Sequence, residues 1–154
     1  MATAPACWLL KTEPEVFGIA DLRRLRRSPW DGVRNYQARN FLRAMRLGDR
    51  CLIYHSNARP SGLAGLGEVV RTAYPDHTAW DPASAYHDPG DGPAIARWSM
   101  VDIAWRATAT RFVPLDELRA DPDLRGMLLL SRARLSVQPV DPDHYARCVA
   151  AMGG

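Results

Sequence analysis

A chain of 154 residues, 47% hydrophobic and 24% charged, has the size and composition of one globular domain, and its core needs no disulfide or metal staple. No apolar run reaches the length of about eighteen residues that spans a bilayer. The opening MATAPACWLLK lacks a basic start and a long apolar stretch, so neither a membrane anchor nor a secretory signal is expected, and the chain is assigned to the cytoplasm, or to the nucleus of a eukaryote. The formal net charge is +3, and of the twenty basic residues only Lys11 is a lysine; this balance permits nucleic-acid binding without demanding it.

In chain order, Ala6–Lys11 (ACWLLK) reads as a buried strand ended by Thr12-Glu13-Pro14, because Pro14 removes a donor and pushes Glu13 toward extended geometry. Ile19, Leu22 and Leu25 recur at helical spacing between exposed arginines, predicting a helix from Ile19 to Arg27 that Ser28-Pro29 stops. A second helix is predicted over 35–45, with Phe41, Leu42 and Met45 as its apolar stripe. Gly48-Asp49 turns the chain into a strand over 50–55, and SNARPSG links it to another over 63–71.

Residues 74–94, rich in Pro and Asp, form a long surface loop of the kind that is usually functional or disordered. Alternation over 95–108 predicts a long strand, Pro114–Arg119 a helix with proline in its first turn, and 135–140 a short strand. Asp141-Pro142 then caps a final helix through Ala151. Strands at both ends and in the middle, without a repeated βαβ unit, define an α+β fold: a mixed or antiparallel sheet curled into a small barrel with helices outside.

The sequence offers little to a catalyst. Cys7, Cys51 and Cys148 lie far apart with no C-x-x-C pair and read as reduced core residues; the four histidines show no metal-ligand spacing. GLAGLG at 62–67 falls inside a strand pattern, where glycines mark a bulge or close backbone approach rather than a phosphate cradle. Asp21, Asp49, Asp116, Asp121 and Asp141 all have turn or cap positions available, so no catalytic pair is expected, and no metal or cofactor.

Four polar clusters remain. In SPWDGVRNYQARNFL, Trp30 follows a helix stop and is followed at once by Arg34, Asn35, Gln37 and Arg39. A tryptophan in a loop is often a core plug, and Asn35 has a simpler job as a helix cap. Together, however, an aromatic face and an amide are equipment for holding a flat, polar heterocycle: the ring stacks and the amide reads the Watson–Crick edge. Tyr54-His55-Ser56-Asn57 ends one strand, Lys11-Thr12-Glu13 ends another, and Arg134 to Gln138 opens a third. Trp8, Trp98 and Trp105 sit in strand patterns and read as core.

KTEPEVF (11–17), WDGVRNYQARNFL (30–42), GDRCLIYHSN (48–57), AGLGEVVRTAYPD (64–76), RWSMVDI (97–103) and RLSVQPV (134–140) closely resemble the EVE domain family, in the same order and over nearly the whole chain, from about Cys7 to Cys148. The resemblance implies one PUA-like domain over 1–154, a mixed or antiparallel β-barrel flanked by helices and related to YTH and ASCH domains. It further implies a non-catalytic reader of DNA or RNA carrying modified bases, with modified cytosine the ligand associated with some members.

Carried over by position, Trp30 is the stacking platform, Asn35, Ser56 and Asn57 read the edge, Lys11 and Thr12 stand at the rim, and Gln138 lies nearby. Arg34, with Arg39 and Arg59, is assigned to phosphates, and Thr12 stands where many members have Ser. Trp80, in the long loop, is either a second aromatic wall or a local packing residue. Two alternatives stand beside this reading. One is an enzyme on a modified nucleotide or small metabolite, for which Asp31, Glu13 and His55 are the nearby candidates; the other is a protein-interaction adaptor using loop 74–94.

Overall fold

The structure, a computed structural model, describes residues 4–154. Its elements are β1 (Cys7–Thr12), α1 (Ile19–Leu25), β2 (Arg27–Pro29), α2 (Tyr36–Ala44), β3 (Arg50–His55), β4 (Gly62–Pro75), β5 (Ser99–Pro114), α3 (Leu115–Ala120), β6 (Val137–Val140) and α4 (Pro142–Ala151). Short 3-10 turns occupy His77–Trp80, Pro122–Leu124 and Leu128–Leu130. The strands make one six-stranded mixed sheet in the order β2-β5-β4-β3-β1-β6, with β1 parallel to β3 and every other pairing antiparallel.

The continuous apolar runs of β1 and β3 follow from burial on both faces. Successive side chains point to opposite sides of a sheet. Trp8, Leu10, Cys51 and Ile53 therefore enter one core with Ile19 and Leu22 of α1 and Ala38 and Leu42 of α2. Leu9, Leu52 and Tyr54 enter a second core with Leu118 of α3 and Cys148 of α4. Leu9, Leu10, Leu52 and Ile53 are essentially solvent-free, and each such side chain contributes about 1.5–3 kcal/mol of burial. All three cysteines are free and buried, and burial raises their thiol pKa values, that of Cys148 to about 12, so they stay protonated and pack as small apolar groups.

Asp49 ties the start of the sheet together: its carboxylate accepts from the Ala6 and Arg46 amides and from the Trp8 indole N–H at 2.9–3.0 Å. Gly65 is required by close approach, since a Cβ there would lie 2.5 Å from the Ala107 carbonyl oxygen. The 62–67 segment is thus a bulged strand, with register shifts at Leu63/Gly65 and Leu66/Gly67.

Several boundaries differ from expectation. Helix α1 stops at Leu25 because Arg26 adopts a left-handed φ of 68°, which leaves Leu25 46% exposed rather than in the apolar stripe. The chain then continues as β2, an edge strand on β5, where Pro29 needs no donor on its open side. The β5 strand begins at Ser99, with Ile95 exposed, and runs on to Pro114. Because β2 and β6 are opposite edges with no ladder between them, the sheet is open and the expected closed barrel is not formed. No helix among the described residues is long and apolar enough to cross a membrane.

Candidate nucleic-acid site

At the C-terminal ends of the parallel strands β1 and β3 the chain encloses a cavity of about 870 Å³, within the 300–1,000 Å³ range of small-ligand sites. Four stretches of sequence meet there: Lys11 to Phe17, Ser28 to Arg34, Ser56-Asn57, and the turn before β6 with Ala133, Arg134 and Ser136; Tyr86 closes it from the long loop. The two strand ends are joined by the Ser56 amide, which donates to the Thr12 carbonyl at 2.9 Å. Asn57, at a φ of 48°, turns its amide back to donate to the Glu13 carboxylate at 2.5 Å.

Six of the eight residues assigned from sequence line this cavity: Lys11, Thr12, Trp30, Arg34, Ser56 and Asn57. Trp30 is both wall and core, only 7% exposed, with its indole set edge-on at 89° to Phe17. Lys11 donates to the Ala133 carbonyl at 2.6 Å and lies 5.8 Å from the centre of the Tyr54 ring, and burial lowers its pKa. The Thr12 hydroxyl donates to the Phe17 carbonyl, pinning the 13–17 turn.

Asn35 and Gln138 are not among the lining residues. Asn35 caps α2, its side-chain oxygen accepting from the Ala38 amide at 2.9 Å. Gln138 is 1% exposed and uses its amide to hold the carbonyls of Arg132 and Leu135, which fixes the turn carrying Arg134 and Ser136. Trp80 is no wall either: its indole N–H donates to Asp91 inside the loop.

The aromatic that does close the cavity is Tyr86, for which the sequence held only an indirect signal in the length of the loop and its many aspartates. Those aspartates build it. Asp76, Asp81 and Asp88 each accept from a backbone amide two residues on, the Asx turn that lets a loop fold locally. Arg34 then clamps the loop to the site: its guanidinium donates to the Tyr86 carbonyl at 3.0 Å, to Asp76 at 2.9 Å and to Thr78 at 3.1 Å. The Tyr86 ring rests on Gly32, whose φ of +79° and missing side chain make room; a Cβ would meet the ring at 2.7 Å.

The electrostatics are mixed. Asp76 is fully buried; burial pushes its carboxyl up, but donors from Thr78, Gly32 and Arg34 outweigh that and hold it below the ordinary range. Asp31 moves the other way, raised by loss of hydration and by the neighbouring Asp76 charge. The Tyr86 phenol is raised by burial and then by the Asp31 and Glu13 carboxylates, and all three residues line the cavity. Chemically, the site offers two aromatic walls, a carboxylate corner, an amide, hydroxyls of Thr12 and Ser56, and cations at Lys11 and Arg134. Among the described residues no group of three or more His, Cys, Asp or Glu is arranged to hold a metal.

This open mixed sheet with a polar, aromatic-walled cavity at its parallel strand ends is that of an EVE domain: the family's profile matches residues 6–151, and the chain belongs to that family. It is 41% identical to human "Thymocyte nuclear protein 1" over 157 aligned residues, covering 90% of this chain and 70% of that protein. Among solved structures, a protein from Leishmania major superposes with a TM-score of 0.96 at 46% identity, covering 99% of this chain and 98% of its own. The human THYN1 protein, solved in complex with 5-methylcytosine-containing DNA, superposes with a TM-score of 0.92 at 39% identity over 97% of this chain and 98% of its own.

Proposed function

We propose that this chain is a non-catalytic reader that binds nucleic acid and receives one modified base, 5-methylcytosine in DNA being the first candidate, in the cavity between Trp30 and Tyr86. The observation that carries the reading is the convergence of Trp30, Thr12, Ser56, Asn57 and Lys11 from three separate sequence stretches on one cavity, large enough to admit a base. The DNA complex of the human relative supports it. A base leaving its stack costs a few kcal/mol, and stacking at about 1–3 kcal/mol per aromatic partner together with edge hydrogen bonds offsets that.

The acceptors decide which edge is read. Asp31 and Glu13 favour a ligand that presents N–H groups, such as the exocyclic amine of cytosine, over one that presents carbonyl oxygens. Arg34 spends its donors on Tyr86, Asp76, Thr78 and the Val33 carbonyl, so it positions the wall and does not read the base. Lys11 and Arg134 are the cations left for phosphate. An RNA strand with the same base is the competing partner, and we assign the open sheet to the PUA-like class on its strand order and flanking helices.

Fluorescence anisotropy with matched oligonucleotides carrying 5-methylcytosine, cytosine or thymine at one position tests this. Thymine keeps the methyl group and replaces the amine by a carbonyl. Wild type is expected to prefer 5-methylcytosine to both; Tyr86→Ala weakens that binding by about 5- to 150-fold, the stacking contribution expressed as affinity. Asp31→Asn lowers the preference over thymine by about tenfold, within the range for one well-placed pair. Equal wild-type affinity for 5-methylcytosine and cytosine in DNA and RNA alike would overturn the reading.

A further inference from the structure

A second, smaller groove of about 350 Å³ is lined by Ile19, Ala20, Arg23, Arg24 and Arg26 and by Thr108 of β5. Trp105 stands next to this lining: its indole N–H donates to the Thr108 hydroxyl at 3.0 Å, which leaves the ring face to the arginines. Two guanidinium groups lie against that ring, Arg23 at 5.6 Å and Arg26 at 5.3 Å from its centre. A tryptophan ring is the strongest cation-π partner available to an arginine and restrains both side chains.

The surrounding arginines are neutralised and these two are not. Arg24 pairs with Asp21, Arg27 with Asp102 and Arg106 with Glu68. Among the described residues, no carboxylate lies within ion-pair distance of Arg23 or Arg26. Two like charges held over one ring repel, and a bound anion relieves that repulsion. Both are exposed, and guanidinium planes suit bidentate contact with phosphate oxygens.

Residues lining the groove and residues lining the base cavity are close neighbours in sequence at both ends of α1. Phe17 lines the cavity and Ile19 the groove; Arg26 lines the groove and Ser28 the cavity. Each of these crossings is two residues, at most about 7.6 Å of backbone. The two linings therefore follow one another along the chain at Phe17–Ile19 and at Arg26–Ser28.

We infer that the Arg23–Trp105–Arg26 groove is a phosphate-binding site for the nucleic-acid backbone flanking the base held in the cavity. The inference rests on the reader function proposed above but makes a separate demand on it. Backbone contacts carry affinity and salt dependence without selectivity for the base, so the two sites have different signatures.

The test is the slope of log affinity against log salt concentration, measured for wild type and for Arg23→Gln/Arg26→Gln on duplexes with 5-methylcytosine or cytosine. Removing one phosphate-neutralising cation reduces the slope by about 0.9 on a duplex, or about 0.7 on a single strand. The double variant is expected to show close to two such reductions while keeping the wild-type preference for 5-methylcytosine. Arg23→Lys/Arg26→Lys, which keeps both charges, is expected to retain the slope. Arg125→Gln removes an exposed cation from the turn between the 3-10 segments 122–124 and 128–130 and is expected to leave the slope unchanged.

A slope unaltered in the glutamine pair, with the fold intact by circular dichroism, overturns the groove and leaves the reader function standing. A slope that falls while wild type shows no preference for 5-methylcytosine supports the groove and removes the base-reading function. Absence of nucleic-acid binding by wild type overturns both.

Discussion

Replacing Gly32 by alanine strikes the joint between backbone and binding wall. Gly32 sits at a φ of +79°, where an L-residue costs about 1–2 kcal/mol. The added methyl would also meet three atoms of the Tyr86 ring at 2.7, 2.7 and 2.9 Å, against an ordinary contact of 3.4–4 Å, so the ring must move by the better part of an ångström. Arg34 holds the Tyr86 carbonyl and lies 5.8 Å from the ring centre, which resists that motion and adds about 0.5–1 kcal/mol to its cost. Gly32→Ala is therefore expected to destabilise by about 2–3 kcal/mol and to weaken binding of a modified base by at least tenfold.

The way to isolate the clash is a double-mutant cycle in urea with Gly32→Ala, Tyr86→Ala and both. Removing the ring leaves only the backbone cost, so the double variant should be more stable than the sum of the singles by about 1 kcal/mol. Additivity within about 0.3–0.5 kcal/mol would show that the ring does not rest on Gly32 and would refute this account of the wall.

Two further perturbations probe the frame around the site. The His55 ring nitrogen accepts from the Ile19 amide at 3.1 Å, and burial lowers its pKa, so the neutral ring is the one the fold uses. With the folded value below the unfolded one, its contribution is complete above about pH 6.5 and is lost as pH falls through the folded value. Urea midpoints between pH 7.5 and 5 should decline for wild type and decline less for His55→Gln; parallel curves would exclude His55 as the cause. Asp49→Ala leaves three donors without their acceptor in a site only 3% exposed. At about 1–3 kcal/mol for each buried donor, a loss of about 3 kcal/mol or more is expected, lowering Tm by about 6–12 °C; a change below about 1 kcal/mol would show that water replaces the carboxylate.

The frame was legible where one physical cause dominates. CWLL and CLIY declared doubly buried strands because each of their residues is apolar, and Asp141-Pro142 declared a helix start because both residues favour it locally. Arg27–Pro29 did not declare itself: three residues carry no period, and only the neighbouring β5 makes them a strand. The open edge between β2 and β6 is likewise a property of pairing partners, which local pattern does not encode.

In the site, Trp30, Ser56 and Asn57 were legible as polar and aromatic residues at element ends. Asn35 and Gln138 carry the same chemistry, but the backbone claims them first, one as a cap and one as a turn clasp. Tyr86 was hidden because its position depends on a contact with Arg34, fifty-two residues away in sequence.

The loop that carries Tyr86 is anchored at two points: Asp76 on the Gly32 amide and the Arg34 guanidinium, and Asp88 on the Trp98 indole and the Ala79 carbonyl. Between those anchors Arg34 also holds Thr78 and Tyr86 and Ala79 is fully buried, but no residue there belongs to either apolar core. The cavity wall that Tyr86 supplies can therefore be altered in length or chemistry without repacking the folding frame, so the site and the fold are separable targets for mutation.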